Sequence, residues 1–154
     1  MPDSVEVEIL LVEDNMADAE LALHAFKKHK IANHVLHVQD GAEALDFLFS
    51  RGAYSNQTLA QNPRLILLDL KLPKVDGLQV LKELKGNPAT KAIPTILLTS
   101  SNEERDLVAS YQLGVNSYIQ KPVNFMEFQD VVRQLGLYWL VVNKKPPAAA
   151  FTVS

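Results

Sequence analysis

The sequence contains no cysteine among its 154 residues. Disulfide bridges, thiolate metal sites and thiol catalysis are therefore excluded, and a reducing compartment fits this composition. An excess of basic residues is also missing, because the formal net charge is −3 and the pI is about 5.8. The sequence therefore lacks the net positive charge that is typical of nucleic-acid-binding proteins.

A targeting segment and long apolar runs are missing as well. The amino terminus, MPDSVEVEI, is acidic and has neither the basic region nor the apolar core of a signal peptide. No apolar run approaches the roughly 18 residues that are needed to cross a bilayer. We expect a cytoplasmic protein that contacts no membrane, with one domain over 1–154, a core over about 7–142 and a flexible tail over 143–154.

The most informative stretch is RLILLDLKLPKVDG at 64–77. Its unbroken apolar run, Leu65 to Leu68, is typical of a strand that is buried on both faces. Asp69 follows where this strand should leave the sheet. A charged carboxylate in that position needs water, a cation or hydrogen bonds to satisfy it, so the question is which other groups converge on Asp69.

Five short apolar segments alternate with helix-like segments along the chain. Strands are predicted at 7–12, 33–38, 65–68, 93–98 and 116–120. The first helix is predicted from about 16 to 28, and the second begins at the capping pair Asp40 and Glu43. The third is predicted over 78–86, with Leu78, Leu81 and Leu84 facing inward. The fourth is predicted from Ser101 to 113, and the fifth from Asn124 to about 142. The polar segment 52–63 predicts a surface loop. The alternation predicts a doubly wound α/β domain, a parallel sheet with helices on both faces.

Polar side chains follow four of these predicted strands. In a parallel sheet of this kind, ligands bind in the crevice at the carboxyl ends of the central strands. The second strand leads only into a helix cap, as expected at a sheet edge. The groups that the other strands deliver to this crevice are Glu13, Asp14, Asp69, Thr99 and Lys121.

These groups form a chemically complete set for accepting a phosphoryl group. Three carboxylates repel one another and favour a hard cation such as Mg²⁺, and the carboxylate of Asp69 is a competent nucleophile toward phosphorus. Thr99 offers a hydroxyl and Lys121 a positive charge to phosphoryl oxygens. The peptide bond between Lys121 and Pro122 is either trans, in an ordinary turn, or cis, in which case it directs the lysine side chain toward the crevice. Each group alone has an ordinary explanation, such as a solvated turn, so the prediction depends on their convergence.

Four segments in this order resemble the receiver domains of bacterial two-component response regulators: VED at 12–14, LLDLKLPKVDG at 67–77, LTSS at 98–101 and YIQKP at 118–122. The resemblance covers about 7–140. It implies a flavodoxin-like sheet of five parallel strands in the order 2-1-3-4-5, with five helices. It also implies a phosphorelay protein that takes a phosphoryl group from a histidine kinase and is no enzyme beyond this reaction and slow self-dephosphorylation.

The resemblance assigns roles to individual residues of this sequence. Asp69 is the phosphorylation site. The Mg²⁺ ligands are Asp69, Asp14, Glu13 through water and the backbone carbonyl of Lys71. The hydroxyl, the lysine and the rotating aromatic ring that respond to the phosphoryl group are Thr99, Lys121 and Tyr118.

More narrowly, the sequence resembles the small stand-alone response regulators of cyanobacterial phytochromes. The matching segments are EDNMADAEL at 13–21, the extra loop at 52–63, NEERDLVASYQLGVNSYIQK at 102–121 and LGLYWL at 135–140. This resemblance implies a phytochrome-type kinase as phosphodonor. The sequence ends where the receiver pattern ends, so we expect no output domain and a signal that passes by docking to an unknown downstream protein or by a change in assembly.

Two surfaces are candidates for partners. The last predicted helix has more apolar residues than one face can bury, which predicts a homodimer or partner surface or, alternatively, a helix end that folds back on the domain. Its surplus residues are Val132, Leu137, Tyr138, Trp139, Leu140 and Val142. Met16, Ala17 and Glu20, beside the acidic pocket, are candidate kinase contacts. The four histidines, which show no metal-ligand spacing and are expected to be surface or satisfied residues, are His24, His29, His34 and His37.

Three other classes of protein compete with the phosphoacceptor hypothesis. A phosphorylation-independent interaction module would use the same fold and the last-helix surface constitutively. A flavin binder is disfavoured, because Glu13 and Asp14 occupy the loop where a flavin phosphate needs hydroxyl and backbone donors. A metal-dependent phosphohydrolase with a DxD motif after its first strand is disfavoured, because this chain has EDN at 13–15.

Overall fold

The computed structural model describes residues 4–5, 7–28, 34–55, 58–59, 63–99, 104–115, 117–120, 130 and 133. The main sheet has five parallel strands: β1 Ile9–Val12, β2 Val35–Val38, β3 Leu65–Leu68, β4 Thr95–Thr99 and β5 Ser117–Gln120. Their spatial order is β2-β1-β3-β4-β5. The predicted doubly wound, flavodoxin-like sheet is thereby confirmed.

Helices follow the first four strands in the part of the chain that the structure describes. They are α1 Met16–Lys28, α2 Gly41–Leu48, α3 Gly77–Gly86 and α4 Glu104–Gln112. Asp40 caps α2 by accepting the N–H of Glu43 at 2.7 Å, and Asp76 caps α3 by accepting the N–H of Gln79 at 3.0 Å. Within the described ranges, we find no helix with the length and hydrophobicity of a membrane span. The fifth predicted helix, 124–142, lies outside these ranges except for two isolated positions.

The core has two layers, one on each face of the sheet. All four residues of β1 and all four of β3 are buried, as expected for strands covered on both sides. Leu65 and Leu67 pack with the buried face of α1, whereas Ile66 and Leu68 pack with α2 and α3. The central strands are therefore fixed between two apolar layers, and their carboxyl ends are fixed with them.

The inward face of α3 differs from the prediction at one position. Leu81 and Leu84 are fully buried as expected, Leu78 is partly buried and packs against the same core, and Val80 is buried as well. Val80 lies four residues before Leu84 and so belongs to the same helical stripe. The three predicted leucines therefore face the core, and the prediction missed only Val80.

The segment 52–63 is more structured than the predicted surface loop. It contains a 3₁₀ turn, Gly52–Tyr54, and a two-residue strand, Thr58–Leu59, which pairs in parallel with Ser4–Val5. The ring of Tyr54 packs edge-to-face on Phe47 with 5.3 Å between centroids. Burial raises the pKa of Tyr54 to about 12. The contact between Tyr54 and Phe47 therefore holds against the domain a segment whose polar composition predicted a solvent-exposed loop.

Gly41 allows α2 to pack closely against the loop between β3 and α3. A Cβ at Gly41 would overlap the carbonyl oxygen of Val75, which is backbone and cannot move aside like a side chain. The N–H of Gly41 also points to the carbonyl oxygen of Pro73, 3.5 Å away. Glycine is therefore required at this position by close approach, and it helps to hold the loop that follows Asp69.

Replacing Gly41 by alanine should lower the free energy of unfolding by about 2 kcal/mol, because the added methyl group overpacks a backbone contact. Urea denaturation measures this change. Gly86→Ala is the matched control: this glycine also lies in a helix, but an added Cβ meets nothing within 4 Å, so its stability should stay equal or rise slightly. Equal losses in both variants would contradict the packing argument.

Candidate functional site

Three carboxylates meet at the carboxyl ends of β1 and β3. Glu13 and Asp14 follow β1, Asp69 follows β3, and one carboxylate oxygen from each residue lies within 4.8 Å of the other two. The strands are paired in register with Val12 opposite Leu68, so the residues that come next are brought together. Glu13 is 3% exposed and Asp69 5%, whereas Asp14 is exposed at the rim.

Backbone hydrogen bonds orient two of these carboxylates. The N–H of Asp69 donates to the carbonyl of Val12 at 3.1 Å, which extends the β1–β3 ladder by one residue. Oδ1 of Asp69 then accepts the N–H of Lys71 at 3.1 Å. Oε2 of Glu13 accepts the N–H of Asn15 at 3.2 Å. The directions of both buried carboxylates are therefore fixed by the main chain around them.

Gly77 permits α3 to begin directly beside Asp69. A Cβ at Gly77 would overlap the carbonyl oxygen of Asp69 and lie 2.5 Å from the Cα of Leu70. The N–H of Gly77 donates to the carbonyl of Leu70 at 2.9 Å. The loop that leaves β3 is thus closed against the first turn of α3, and any side chain at 77 would push it away.

The donor set fits a hard divalent cation. Each member of the cluster offers a carboxylate oxygen, the ligand that Mg²⁺ prefers, and the exposed rim at Asp14 gives water access to the remaining coordination positions. Carboxylates this close repel one another unless a cation neutralises them. The cluster contains no histidine or cysteine, the ligand types that would favour a softer metal. The acidic pocket is compatible with Mg²⁺.

The remaining predicted site residues are only partly described. Thr99 is the last residue of β4, and β4 lies beside β3, so its backbone is at the same sheet edge; its side chain lies outside the described part. Tyr118 stands in β5 opposite Leu97 and is partly buried against the core. Lys121 and Pro122 lie outside the described residues.

The two predicted surfaces have different outcomes. Met16, Ala17 and Glu20 are all exposed on α1, which begins directly after the acidic pocket, and Met16 is 49% exposed. The predicted dimer or partner surface, Val132, Leu137, Tyr138, Trp139, Leu140 and Val142, lies outside the residues for which the structure gives positions. Its role stays a prediction.

Reasoning from the sequence missed His37. The second strand was expected to lead only into a helix cap, yet Nε2 of His37 lies 2.7 Å from the carbonyl oxygen of Glu13. Because a carbonyl oxygen can only accept, Nε2 carries the proton and donates it. A contact between residues 24 positions apart leaves no periodic pattern in the sequence. The expectation of a satisfied histidine is confirmed here, but the partner could not be predicted.

Comparison with known proteins decides the family. Residues 9–133 match the family model for the response regulator receiver domain. The chain belongs to this family. The receiver that was expected from the four sequence segments is therefore confirmed, together with its place in two-component signalling.

Three relatives span most of this receiver. Response regulator Rcp1 from Synechocystis is 42% identical over 140 residues, covering 91% of this chain and 93% of Rcp1; the Mn²⁺-bound crystal structure of Rcp1 gives a TM-score of 0.82 over 90% of this chain and 98% of that one. The phosphorylated cyanobacterial phytochrome response regulator RcpA is 40% identical, with a TM-score of 0.83 over 94% of this chain and 100% of that one. A probable methanogenesis regulatory protein, FilR2 from Methanothrix harundinacea, is 40% identical over 141 residues, covering 92% of this chain and 88% of FilR2. The receiver is thus related to phytochrome response regulators.

Replacing Asp14 by asparagine should stabilise the metal-free protein and weaken Mg²⁺ binding. Removal of one of three clustered charges should raise the free energy of unfolding in EDTA by about 1 kcal/mol. Excess Mg²⁺ should then raise the melting temperature of the wild type but hardly that of the variant, because three carboxylates should hold the ion much more tightly than two. Urea and thermal unfolding with and without Mg²⁺ measure both effects.

Glu20→Gln provides the control for this charge change, because Glu20 is an exposed acid on α1 outside the cluster. It should alter neither the stability in EDTA nor the response to Mg²⁺. If Asp14→Asn behaves like Glu20→Gln in both assays, the three carboxylates do not act as one cation site.

Proposed function

We propose that this receiver accepts a phosphoryl group from a histidine kinase on Asp69, with Mg²⁺, in the cytoplasm. We also propose that the phosphoryl group changes an interaction surface near α4 and the predicted last helix. The observation that carries the proposal is the convergence of Glu13, Asp14 and Asp69 within 4.8 Å, with the carboxylate of Asp69 held by the N–H of Lys71. Apart from slow loss of its own phosphoryl group, the chain turns over no substrate.

The reaction is a transfer between two protein side chains. A carboxylate oxygen of Asp69 bonds to phosphorus as the P–N bond of the kinase phosphohistidine breaks; the imidazole nitrogen keeps the electron pair and is protonated. Catalysis of such a transfer consists mainly of positioning and charge neutralisation. The hydrogen bond from Lys71 supports the first of these, because it orients the nucleophile before the donor arrives.

The other proposed roles follow the receiver pattern. Mg²⁺, when bound, neutralises charge on the phosphoryl oxygens. Its ligands would be Asp14 and Asp69 directly, Glu13 through water, and the backbone carbonyl of Lys71. Thr99 and Lys121 would bind the phosphoryl oxygens. Tyr118 would rotate into the space that Thr99 leaves. The peptide bond before Pro122 stays a candidate cis bond.

The proposed output is a homodimer or partner contact. On α4, three large apolar side chains are exposed: Leu107 by 39%, Val108 by 47% and Tyr111 by 51%. Clustered apolar residues on a surface favour interaction with a partner. They support an apolar surface at the carboxyl-terminal side of the domain, to which the predicted residues 132–142 would contribute.

Incubation with acetyl phosphate and Mg²⁺ should add one phosphoryl group to the wild type and none to Asp69→Asn, as measured by intact mass. EDTA should abolish the addition. Asp76→Asn is the matched control, because Asp76 lies in the same loop but caps α3, and asparagine caps almost as well as aspartate. Light scattering on the same samples reports whether assembly changes. Phosphorylation of Asp69→Asn at the wild-type level would refute the proposed acceptor.

An unmodified wild type would call for the same assay with a phosphorylated histidine kinase as donor. Failure with both donors would reject the phosphoacceptor function and favour the phosphorylation-independent interaction module. In that case light scattering should show the same assembly with and without the donor.

We further propose a phytochrome-type kinase as phosphodonor, which the similarity to RcpA supports. Met16→Ala should slow phosphotransfer from such a kinase at least several-fold, because it removes an exposed apolar side chain at the start of α1 beside the pocket without changing the charge there. Autoradiography of the transfer measures the rate. Phosphorylation by acetyl phosphate should be unchanged, since this small donor needs no protein contact. An equal loss with both donors would assign the defect to the pocket itself.

A further inference from the structure

We infer that His37 is a positioning residue for the metal-binding carboxylates and acts through the main chain of Glu13. The inference deepens the proposed function, since it concerns how the same site holds a divalent cation. It starts from the 2.7 Å hydrogen bond between Nε2 of His37 and the carbonyl oxygen of Glu13. His37 contacts no carboxylate in this bond, so its influence on the cation passes through the peptide that joins Glu13 to Asp14.

The bond forms where the β1–β2 ladder ends. Leu11 faces His37 and Val12 faces Val38 in register, and the N–H of Glu13 still donates to the carbonyl of Val38 at 3.0 Å. Beyond this point β2 turns into the cap of α2, at Asp40. The imidazole N–H satisfies the Glu13 carbonyl at this place, and it does so from the same strand that satisfies the Glu13 N–H.

Hydrogen bonds therefore hold the N–H, the carbonyl and the carboxylate of Glu13. Its N–H is bound by Val38, its carbonyl by His37 and its carboxylate by the N–H of Asn15. The carbonyl bond is the one that restrains the peptide plane leading to Asp14. If that plane rotates, the Asp14 carboxylate swings relative to Asp69. Groups that orient metal ligands in this indirect way typically change metal affinity by about 10- to 100-fold when removed.

The test compares Mg²⁺ affinity among variants of the full chain by isothermal titration calorimetry. His37→Phe keeps a planar ring of similar size but has no N–H donor, and it should raise the Kd for Mg²⁺ at least about tenfold. His37→Gln places an amide N–H near the position of Nε2 and should restore most of the affinity. His34→Leu is the control, because His34 precedes the same strand but pairs with Glu8 at 3.7 Å, away from the cluster.

A second measurement separates positioning from simple stability. The initial rate of phosphorylation by acetyl phosphate should be reduced in His37→Phe at subsaturating Mg²⁺ and should approach the wild-type rate at saturating Mg²⁺. Urea unfolding in EDTA gives the stability of each variant. A His37→Phe variant that loses stability but keeps the wild-type Kd would overturn the inference and leave His37 a structural residue.

The outcomes also separate this inference from the proposed function. If the wild type binds no Mg²⁺ and takes no phosphoryl group from acetyl phosphate or a kinase, the proposed function fails. If the wild type does both and the His37→Phe and His37→Gln variants bind Mg²⁺ with the wild-type Kd, only the role of His37 is rejected. If His37→Phe does not fold, His37→Leu replaces it as the variant without a hydrogen-bond donor and is compared with His37→Gln, which has one.

Discussion

Repulsion among three carboxylates at the end of β1 and β3 is the interaction on which the site depends. The backbones that carry these charges cannot move apart, because β1 and β3 are paired in register and every residue of both strands is buried. A shift of either strand by one residue would turn its apolar side chains to the opposite faces of the sheet. The hydrophobic core thus holds an unfavourable charge arrangement in place. A bound cation would relieve it, so the same geometry that destabilises the metal-free domain favours cation binding.

The loop after Asp69 is held in place by close backbone contacts together with the buried side chain of Leu70, which is 4% exposed. Gly41 and Gly77 let α2 and α3 approach its backbone to distances that no Cβ would allow. Lys74 within the loop adopts a φ of +67°, and its ammonium lies 3.6 Å from the carboxylate of Asp40, the residue that caps α2. A rigid loop suits a reaction in which correct placement of the nucleophile supplies much of the rate.

Much of this architecture could be predicted from the sequence, because local signals and the fold agree. The run Leu65 to Leu68 is apolar without interruption, and a strand buried on both faces needs that pattern. Asp40 caps its predicted helix because its side chain serves a backbone N–H three residues ahead, which is a local interaction. The position of Asp69 beside Glu13 and Asp14 could be predicted because parallel strands bring their carboxyl ends to the same edge of the sheet.

The parts that could not be predicted depend on contacts that are distant in sequence. The bond between His37 and Glu13 joins side chain to backbone across 24 residues, and neither helical nor strand periodicity reveals such a contact. The 3₁₀ turn at Gly52–Tyr54 is fastened by Tyr54 on Phe47, an aromatic contact from a segment whose polar composition indicated a loop. In both cases the side chain finds its partner only after the neighbouring element has folded into place, so no local pattern in the sequence marks the contact.

Lys71 shows how a local charge change at the site can reach α4. Its N–H binds Oδ1 of Asp69, and its ammonium lies 3.9 Å from the carboxylate of Asp106 in the first turn of α4. The Lys71 side chain is 59% exposed, so this ion pair contributes less than about 1 kcal/mol and can be exchanged easily. A phosphoryl group on Asp69 would add negative charge beside Lys71 and compete with Asp106 for it. Under the proposed function, a shift in this pair would act on α4, the helix that exposes the apolar side chains of Leu107, Val108 and Tyr111.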